Sequence, residues 1–247
     1  MCGSQIPSID GDAVAWVDAA EMREIDRLMT AELGVTLTQM MENAGSHLAD
    51  LTRALYDPSA ITVVVGGGGN AGGGLVAVRH LHNVGVAVTV VPTVAAAKMS
   101  LTARMQLQIA ERLGIRIAEP DTPGVFRDTV VIDAILGYGL DRDLAPALVS
   151  IIESMQQSPV VSLDVPTGFD ATNGCFRPGA VRPAATMTLC LPKTGLDDHR
   201  ASGELYLADI SVPPCIVERF GPQPPPPFAL DRLLRLRTGW SDGDLAR

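Results

Sequence analysis

The chain contains the stretch Val63-Val-Val-Gly-Gly-Gly-Gly-Asn-Ala-Gly-Gly-Gly74, in which a β-branched run opens into seven glycines. The valines predict the end of a buried strand, and we expect a helix to begin near Leu75. Glycine lets backbone N–H groups approach a phosphate, and a helix N-terminus adds favourable partial charge. Gly67, Gly69 and Gly72 match G-x-G-x-x-G, although glycines this dense can match it by accident. The stretch predicts an anion-binding strand, loop and helix, with a flexible turn as the alternative.

The strand that follows lacks a feature of conventional dehydrogenases. Those enzymes carry an acidic residue at the end of the second strand, where it holds the ribose of the cofactor. Residues 88–97 contain no acidic residue. The sequence therefore argues against an ordinary hydride-transfer site.

Outside this stretch, apolar runs alternate with helix-compatible segments. Such an order predicts parallel strands joined by right-handed crossovers, and hence a doubly wound, mostly parallel, three-layer α/β/α sandwich. Two N-terminal helices are expected, at residues 17–29 and 37–55, with Asp18 and Thr36 or Thr38 as their N-caps. The strands should end near Val65, Val91, Ile132 and Leu163. The crossover helices are expected at 75–84, 101–113 and 144–155, with helix C-caps at Gly85 and Gly114. Two further strands, at 186–191 and 204–210, should extend the edge of the sheet.

The length of 247 residues suits one α/β domain with a substantial core. We assign residues 1–220 to this domain. Residues 221–227 are rich in proline and cannot continue a helix or a central strand. We therefore expect residues 221–247 to form a proline-rich linker and an appended C-terminal tail.

Composition excludes several classes of partner. With 28 acidic and 19 basic residues, the net charge of -9 would repel a polyanion, so no nucleic acid is expected. The longest apolar stretches, 61–65 and 86–91, are too short to cross a membrane. We therefore expect no membrane partner. No secretory signal pattern begins the chain, so we expect a cytoplasmic location. The four cysteines include no C-x-x-C pair and are expected to be reduced thiols.

Two aspartates follow predicted strands. Asp133 ends a buried run, and Asp164 ends the next one, followed by Pro166, Thr167 and a glycine. In open α/β sheets, ligands bind outside the carboxyl ends of the strands, so both carboxylates should converge there. Such convergence can prepare an acid-base residue or coordinate a cation. Asp133 could equally cap neighbouring loop amides, and turn capping competes for Asp170.

The remaining ionisable residues attract no catalytic prediction. The four histidines show neither H-x-x-x-H nor H-E-x-x-H spacing, so we give them no role. Lys193, in Leu191-Pro-Lys-Thr-Gly195, could reach an anion. We nevertheless expect it to be an exposed turn lysine, and Lys98 presents the same ambiguity.

Taken in order, these stretches resemble the YjeF N-terminal domain family, the NAD(P)H-hydrate epimerases. Its patterns G-N-N-G-G-D-G-L-V-A, V-D-A-L-F-G-T-G-L and V-D-I-P-S-G-x-D are similar to residues 68–77, 132–140 and 163–170. Met41-Glu-Asn-Ala-Gly45 looks like its M-E-N-A-G helix, and Leu191-Pro-Lys193 looks like its A-P-K turn. The resemblance spans about residues 16–214.

The resemblance implies a Rossmann-like enzyme that interconverts the R and S forms of hydrated NADH or NADPH by acid-base catalysis at Asp164. It also implies a bound potassium ion, held by Asn70, Asp133 and Thr167. The residues implied to bind the dinucleotide are Gly69, Asn70, Ala71, Gly72, Gly73, Gly137, Tyr138, Gly139, Leu140, Asp141, Arg142, Asp143 and Asp164.

The chain departs from the family pattern at four positions. The family pattern has an asparagine where this chain has Gly69, and a glycine where it has Ala71. It has the loop aspartate where this chain has Gly73, and the threonine of G-T-G where it has Tyr138. These changes leave a second interpretation open, a non-catalytic nucleotide-binding or dimerisation module that forms a homodimer. If the chain is an enzyme, we expect a separate dehydratase as its pathway partner, because the fused dehydratase domain of many bacterial relatives is absent.

Overall fold

The computed structural model describes residues 6–140, 142–221 and 227–238. Within these residues the chain alternates strands and helices, as the sequence predicts. The strands are β1 (Ser8–Asp10), β2 (Ala60–Val65), β3 (Ala87–Pro92), β4 (Arg116–Ile117), β5 (Val130–Ala134), β6 (Val160–Leu163), β7 (Phe169–Asp170), β8 (Cys175–Phe176), β9 (Ala185–Leu189), β10 (Glu204–Ala208) and β11 (Leu233–Arg237). The α-helices are α1 (Ala19–Arg27), α2 (Leu37–Tyr56), α3 (Gly69–Asn83), α4 (Leu101–Arg112), α5 (Pro146–Met155), α6 (His199–Ser202) and α7 (Pro214–Val217).

One nine-stranded sheet forms the centre of the described chain, in the order β1-β11-β10-β9-β6-β5-β2-β3-β4. Every neighbouring pair is parallel except β10 and β11, which are antiparallel. The mostly parallel α/β fold is therefore confirmed. β7 and β8 form a separate two-stranded hairpin.

Alternation along β2 shows how the layers are arranged. Val63 and Val65 lie in one buried cluster with residues of α2, α3 and α4, Leu75 among them. Val64 lies in another cluster with Ile152 of α5. Because successive strand residues point to opposite faces, helices cover both sides of the sheet. The predicted three-layer sandwich follows from this packing.

Both N-terminal helices begin at the predicted caps. The Asp18 carboxylate accepts from the backbone N–H groups of Ala20 and Glu21 at 2.7 and 2.8 Å. Thr36, and not Thr38, caps α2, and Gln39 completes its capping box. A π-helical turn, Leu28–Glu32, extends α1. These caps satisfy N–H groups that have no partner within the helix.

The glycine-rich stretch differs from the prediction. Its helix begins at Gly69, not near Leu75, so the loop comprises only residues 66–68. Most of the glycines in α3 are buried, because that helix packs closely against its neighbours. A Cβ at Gly72 would lie 2.5 Å from Met41 Sδ, and one at Gly73 would lie 2.9 Å from Leu163 Cδ2. Close packing therefore overrides the low helix propensity of glycine.

The carboxyl-terminal half contains two corrections. The short helix α6 lies between β9 and β10, where no obvious helix was expected. The expectation of an appended tail is wrong for Leu233–Arg237, because β11 pairs with β10 on one side and with β1 on the other. Leu234 and Leu236 are buried there, so this strand contributes to the core. The proline run hid this contribution by suggesting that ordered structure had ended.

Among the helices of the described ranges, none is long and apolar enough to span a bilayer.

Candidate active site

The two strand-end aspartates lie on neighbouring parallel strands. Asp133 is in β5, opposite Ser162 of β6, and Asp164 follows β6 directly. β2, on the other side of β5, leads through the short glycine loop to Asn70 in the first turn of α3. The sheet thus brings three predicted site residues to the same edge, as the carboxyl-end rule requires.

Asp133 is buried and fully hydrogen-bonded. Its Oδ1 accepts from the Thr167 hydroxyl at 2.7 Å and from the Ile135 N–H at 3.3 Å. Its Oδ2 accepts from the Ser162 hydroxyl and the Thr167 N–H, both at 2.9 Å. Burial raises the pKa of Asp133, and these four donors oppose that rise. The side chain holds Thr167 in place and brings negative charge to the sheet edge.

Asn70 and Thr167 meet at Leu136. The Asn70 amide donates to the carbonyls of Leu136 and Leu163, at 2.9 and 2.8 Å. The Thr167 hydroxyl accepts from the Leu136 N–H at 3.0 Å. Since Thr167 also contacts Asp133, the structure brings the three predicted cation ligands together. Amide, carboxylate and hydroxyl groups are hard donors that suit a monovalent cation.

Asp164 lies at the bend that ends β6. Its φ of 68° places it in the left-handed region, which costs free energy for a residue other than glycine and which recurs at functional sites. Its backbone N–H donates to the Met187 carbonyl at 2.7 Å, so β9 fixes the bend. Its Oδ2 accepts from the Tyr138 N–H at 3.3 Å. The residue is only 3% exposed.

Lys193 was predicted to be an exposed turn lysine, and that prediction is wrong. Its side chain is fully buried, and its ammonium lies 2.6 Å from Asp164 Oδ1. It also donates to the Leu189 carbonyl at 2.8 Å and to the Thr188 hydroxyl at 3.4 Å. A buried ammonium requires such partners, and Asp164 supplies the compensating charge. Lys98, by contrast, is exposed.

A cleft of about 530 Å³ opens above this edge of the sheet. Asp164 and Asn70 line its inner end, and apolar residues from α1 and α2, such as Met22 and Met40, line its opposite wall. Its volume falls in the range of small-molecule sites, which are mostly apolar with a few convergent polar groups.

Tyr138 connects Asp164 to the first helix. Its hydroxyl donates to Asp26 Oδ2 at 2.5 Å, and both residues line the cleft. Burial raises the pKa of Asp26, although the hydrogen bond from Tyr138 opposes that effect. Burial and the neighbouring Asp26 charge raise the pKa of the Tyr138 phenol well above its usual range. Tyr138 is therefore a neutral donor at physiological pH.

The cleft includes most, but not all, of the residues predicted to bind the dinucleotide. Ala71 and Gly72 are buried in α3 behind the cleft wall, and Arg142 and Asp143 are outside the lining. Asp141 is not among the residues that the structure describes. Asp170 caps its own turn, accepting from the N–H groups of residues 172 and 173, as the competing interpretation expected. The residues predicted to bind the dinucleotide that do line the cleft are Gly69, Asn70, Gly73, Gly137, Tyr138, Gly139, Leu140 and Asp164.

Two site residues escaped the sequence analysis. Asp26 resembles any polar residue on an amphipathic helix, and no local signal marked it. Lys193 carried one available signal, because the Leu191-Pro-Lys193 turn matches a motif of the family that the chain resembles.

Comparison with known proteins agrees with this geometry. A family model described as YjeF-related protein N-terminus matches residues 37–195. The NAD(P)H-hydrate epimerase of Dehalogenimonas lykanthroporepellens is 40% identical over 218 residues, which cover 86% of this chain and 88% of that protein. The NAD(P)H-hydrate epimerase of Weissella koreensis is 31% identical, covering 84% of this chain and 96% of that protein. A bifunctional NAD(P)H-hydrate repair enzyme, Nnr of Thermofilum pendens, is 33% identical, but the match covers only 40% of that protein.

A solved structure supports the fold independently. The crystal structure of yeast ynu0 matches with a TM-score of 0.78 and 24% identity, over 90% of this chain and 100% of that chain. The likeness concerns the fold, whereas the matching family model and the curated relatives concern ancestry. Since the family model covers more than half of the chain, the protein belongs to the YjeF-related protein N-terminus family.

Proposed function

We propose that this protein is an isomerase that interconverts the R and S epimers of hydrated NADH and NADPH. The observation that carries this proposal is the buried carboxylate of Asp164, paired with Lys193 at the inner end of a ligand-sized cleft. Curated relatives that carry the name NAD(P)H-hydrate epimerase match most of the chain, and this similarity supports the same activity here.

The chemistry requires a proton-exchanging group beside one ring carbon. In the proposed route of epimerisation at C6, the hydroxyl leaves from one face of the ring and water returns on the other. A positioned carboxyl group can donate and accept the protons of these steps. Asp164 suits this role, because it lines the cleft and its Oδ1 lies 2.6 Å from the ammonium of Lys193.

The dinucleotide would lie with its nicotinamide end beside Asp164. We assign the phosphates to residues 137–140, which line the cleft, and to the N-terminus of α3. Gly68 is the N-cap of that helix and forms no side-chain cap, so the N–H groups of the first turn remain available to an anion. A Cβ at Gly68 or Gly139 would meet no atom within 4 Å, which leaves room for a ligand beside the backbone.

A potassium ion is the expected cofactor. Asn70, Asp133 and Thr167 would hold it, because their oxygens are hard ligands. Thr167 contacts Asp133, and Asn70 and Thr167 both contact Leu136, so the three residues lie around one loop at the sheet edge. The ion would offset the negative charge of the buried Asp133 and of the bound phosphates. Crystals soaked in rubidium should show anomalous scattering between these three side chains, and a featureless map there would contradict the assignment.

The biological setting is also a proposal. A cytoplasmic location would give the enzyme access to the nicotinamide pool. A dehydratase activity would consume one of the two epimers. The bifunctional NAD(P)H-hydrate repair enzyme of Thermofilum pendens matches this chain over 40% of its own length. Self-association as a homodimer is compatible with either role.

The test starts from a single purified epimer of the NADH hydrate. Its conversion to the other epimer is followed by chromatography, and the spontaneous rate is subtracted. We expect wild-type protein to accelerate conversion and Asp164→Asn to lose a factor of about 10² to 10⁴, while its fold persists. If wild type binds the dinucleotide without accelerating conversion, the non-catalytic binding module is the better description. Full activity in Asp164→Asn would refute the role of Asp164.

A further inference from the structure

Four side chains form a continuous polar cluster along the cleft. The Tyr138 backbone N–H donates to Asp164, and the Tyr138 hydroxyl donates to Asp26. Lys193 contacts Asp164 from behind and lies 5.9 Å from the centre of the Tyr138 ring. The two carboxyl groups therefore lie at opposite ends of one tyrosine.

Asp26 accepts the hydrogen bond of the Tyr138 hydroxyl, and it also lines the cleft. It projects from α1 into the cleft, half-buried, and within the described chain no cation makes an ion pair with it. Its neighbours Glu24 and Arg27 pair with each other on the exposed face of the same helix. A surface aspartate that served only solubility would face water with them.

Charge balance favours one retained proton in the cluster. Asp26 and Asp164 bring two carboxyl groups, whereas Lys193 brings one buried ammonium. Arg23 also lines the cleft but is exposed to solvent. Two carboxyl groups that share a partly buried site resist ionising together, so one remains protonated to a higher pH than usual. Asp164 lies against the Lys193 ammonium, so Asp26 is the better candidate to keep the proton. Burial also raises the pKa of Asp26.

We propose that Asp26, positioned by Tyr138, is the second proton-exchanging group of the cleft, acting with Asp164 on opposite faces of the hydrated nicotinamide ring. This inference rests on the proposed epimerase function and adds to it a division of labour between two carboxyl groups.

In the proposed step, Asp26 is the proton donor and Asp164 is the proton acceptor. Asp26 gives its proton to the C6 hydroxyl, the C6–O bond breaks with its electron pair on oxygen, and water leaves. The lone pair of the ring nitrogen forms an N1–C6 double bond. A second water then attacks C6 from the other face, the double-bond pair returns to nitrogen, and the Asp164 carboxylate takes the released proton. Proton exchange with solvent water then returns the proton from Asp164 to Asp26 for the next turnover, and the reverse reaction exchanges the two roles.

The test compares Asp26→Asn with wild type and with Glu24→Gln. Both substitutions remove one carboxylate from the same helix, but Glu24 is outside the cleft lining. We expect Asp26→Asn to lower kcat by a factor of about 10² with little change in KM, because the amide keeps the shape but cannot exchange a proton. Glu24→Gln should keep the wild-type rate, and Asp26→Glu should recover part of the loss.

Tyr138→Phe tests the positioning role separately. It removes the hydroxyl and keeps the ring, so we expect kcat to fall by about tenfold, the effect of one hydrogen bond, with KM unchanged. A matching rise in KM would instead indicate that Tyr138 serves ligand binding.

Two outcomes would overturn the inference, and they are distinguishable. If wild type accelerates epimerisation and Asp26→Asn keeps its kcat within a factor of about three, Asp164 acts without Asp26 and this inference alone is wrong. If wild type gives no acceleration, the proposed function fails and the inference fails with it. Should Asp26→Asn not fold, the kcat of Asp26→Ser decides, because serine also removes the carboxyl group, and a wild-type value would refute the role of Asp26.

Discussion

Replacing Lys193 with methionine should destabilise the protein in a strongly pH-dependent way. Methionine has a similar length but removes the charge 2.6 Å from Asp164 Oδ1. Breaking a buried ion pair by removing one partner typically costs 3–5 kcal/mol, because the other charge is left without compensation. The variant can avoid that cost by protonating the stranded carboxyl.

Protonation sets an upper limit to the loss. For an aspartate with an ordinary pKa of about 3.9, the free-energy cost of staying protonated is about 4 kcal/mol at pH 7 and about 1.5 kcal/mol at pH 5. In Lys193→Met the neutral carboxyl is the favoured folded form, so stability is retained at low pH and lost as pH rises. The difference from wild type should therefore grow by about 1.4 kcal/mol per pH unit between pH 5 and 7.

Urea unfolding at pH 5, 6 and 7 measures this difference. Lys98→Met is the matched control, since Lys98 is exposed, and it should change stability by less than about 0.5 kcal/mol. The double variant Lys193→Met with Asp164→Asn should recover most of the loss, because no charge is then stranded. A loss in Lys193→Met that is the same at pH 5 and 7, or that persists in the double variant, would refute this account of the ion pair.

Two further predictions concern packing and the second carboxyl. Gly72→Val should lower the free energy of unfolding by about 1–3 kcal/mol, because the new side chain would clash with Met41. Gly69→Ala is the control and should be as stable as wild type, because a Cβ there meets no atom closer than 4.0 Å. Equal thermal unfolding midpoints for the two variants would contradict the close packing of α3. Asp26→Asn should be as stable as wild type near pH 4 and more stable at pH 8, because a folded-state pKa above the unfolded one makes wild type lose stability as pH rises. If the free energies of unfolding of the two proteins, measured in urea, change with pH in the same way, the charged form of Asp26 does not destabilise the wild-type fold.

The sequence predicted the sheet edge well, because short-range patterns determine it. Hydrophobic runs located the strands, and the aspartates that end them had to meet at one edge of a parallel sheet. Asp133 and Thr167 are in contact, and Asn70 reaches the same loop through Leu136. The roles of these residues in binding a cation remain predictions.

What the sequence failed to predict depends on contacts between distant segments. Lys193 is buried because Asp164, far away along the chain, provides a partner for its charge. The buried glycines of α3 are helical because α2 and the sheet pack tightly against them, and a propensity scale contains no such contacts. Asp26 faces the cleft because α1 packs there, and Leu233–Arg237 joins the sheet beyond a run of prolines that suggested a tail.

Exchange of oxygen at C6 tests the central claim most directly. The account requires the C6–O bond to break beside Asp164 and to form again with a water molecule. A single epimer of the NADH hydrate, incubated with the protein in ¹⁸O-labelled water, should gain one labelled oxygen for each inversion catalysed. Inversion with the original oxygen retained would indicate opening of the ring at the C6–N1 bond and would contradict the proposed role of the carboxyl groups.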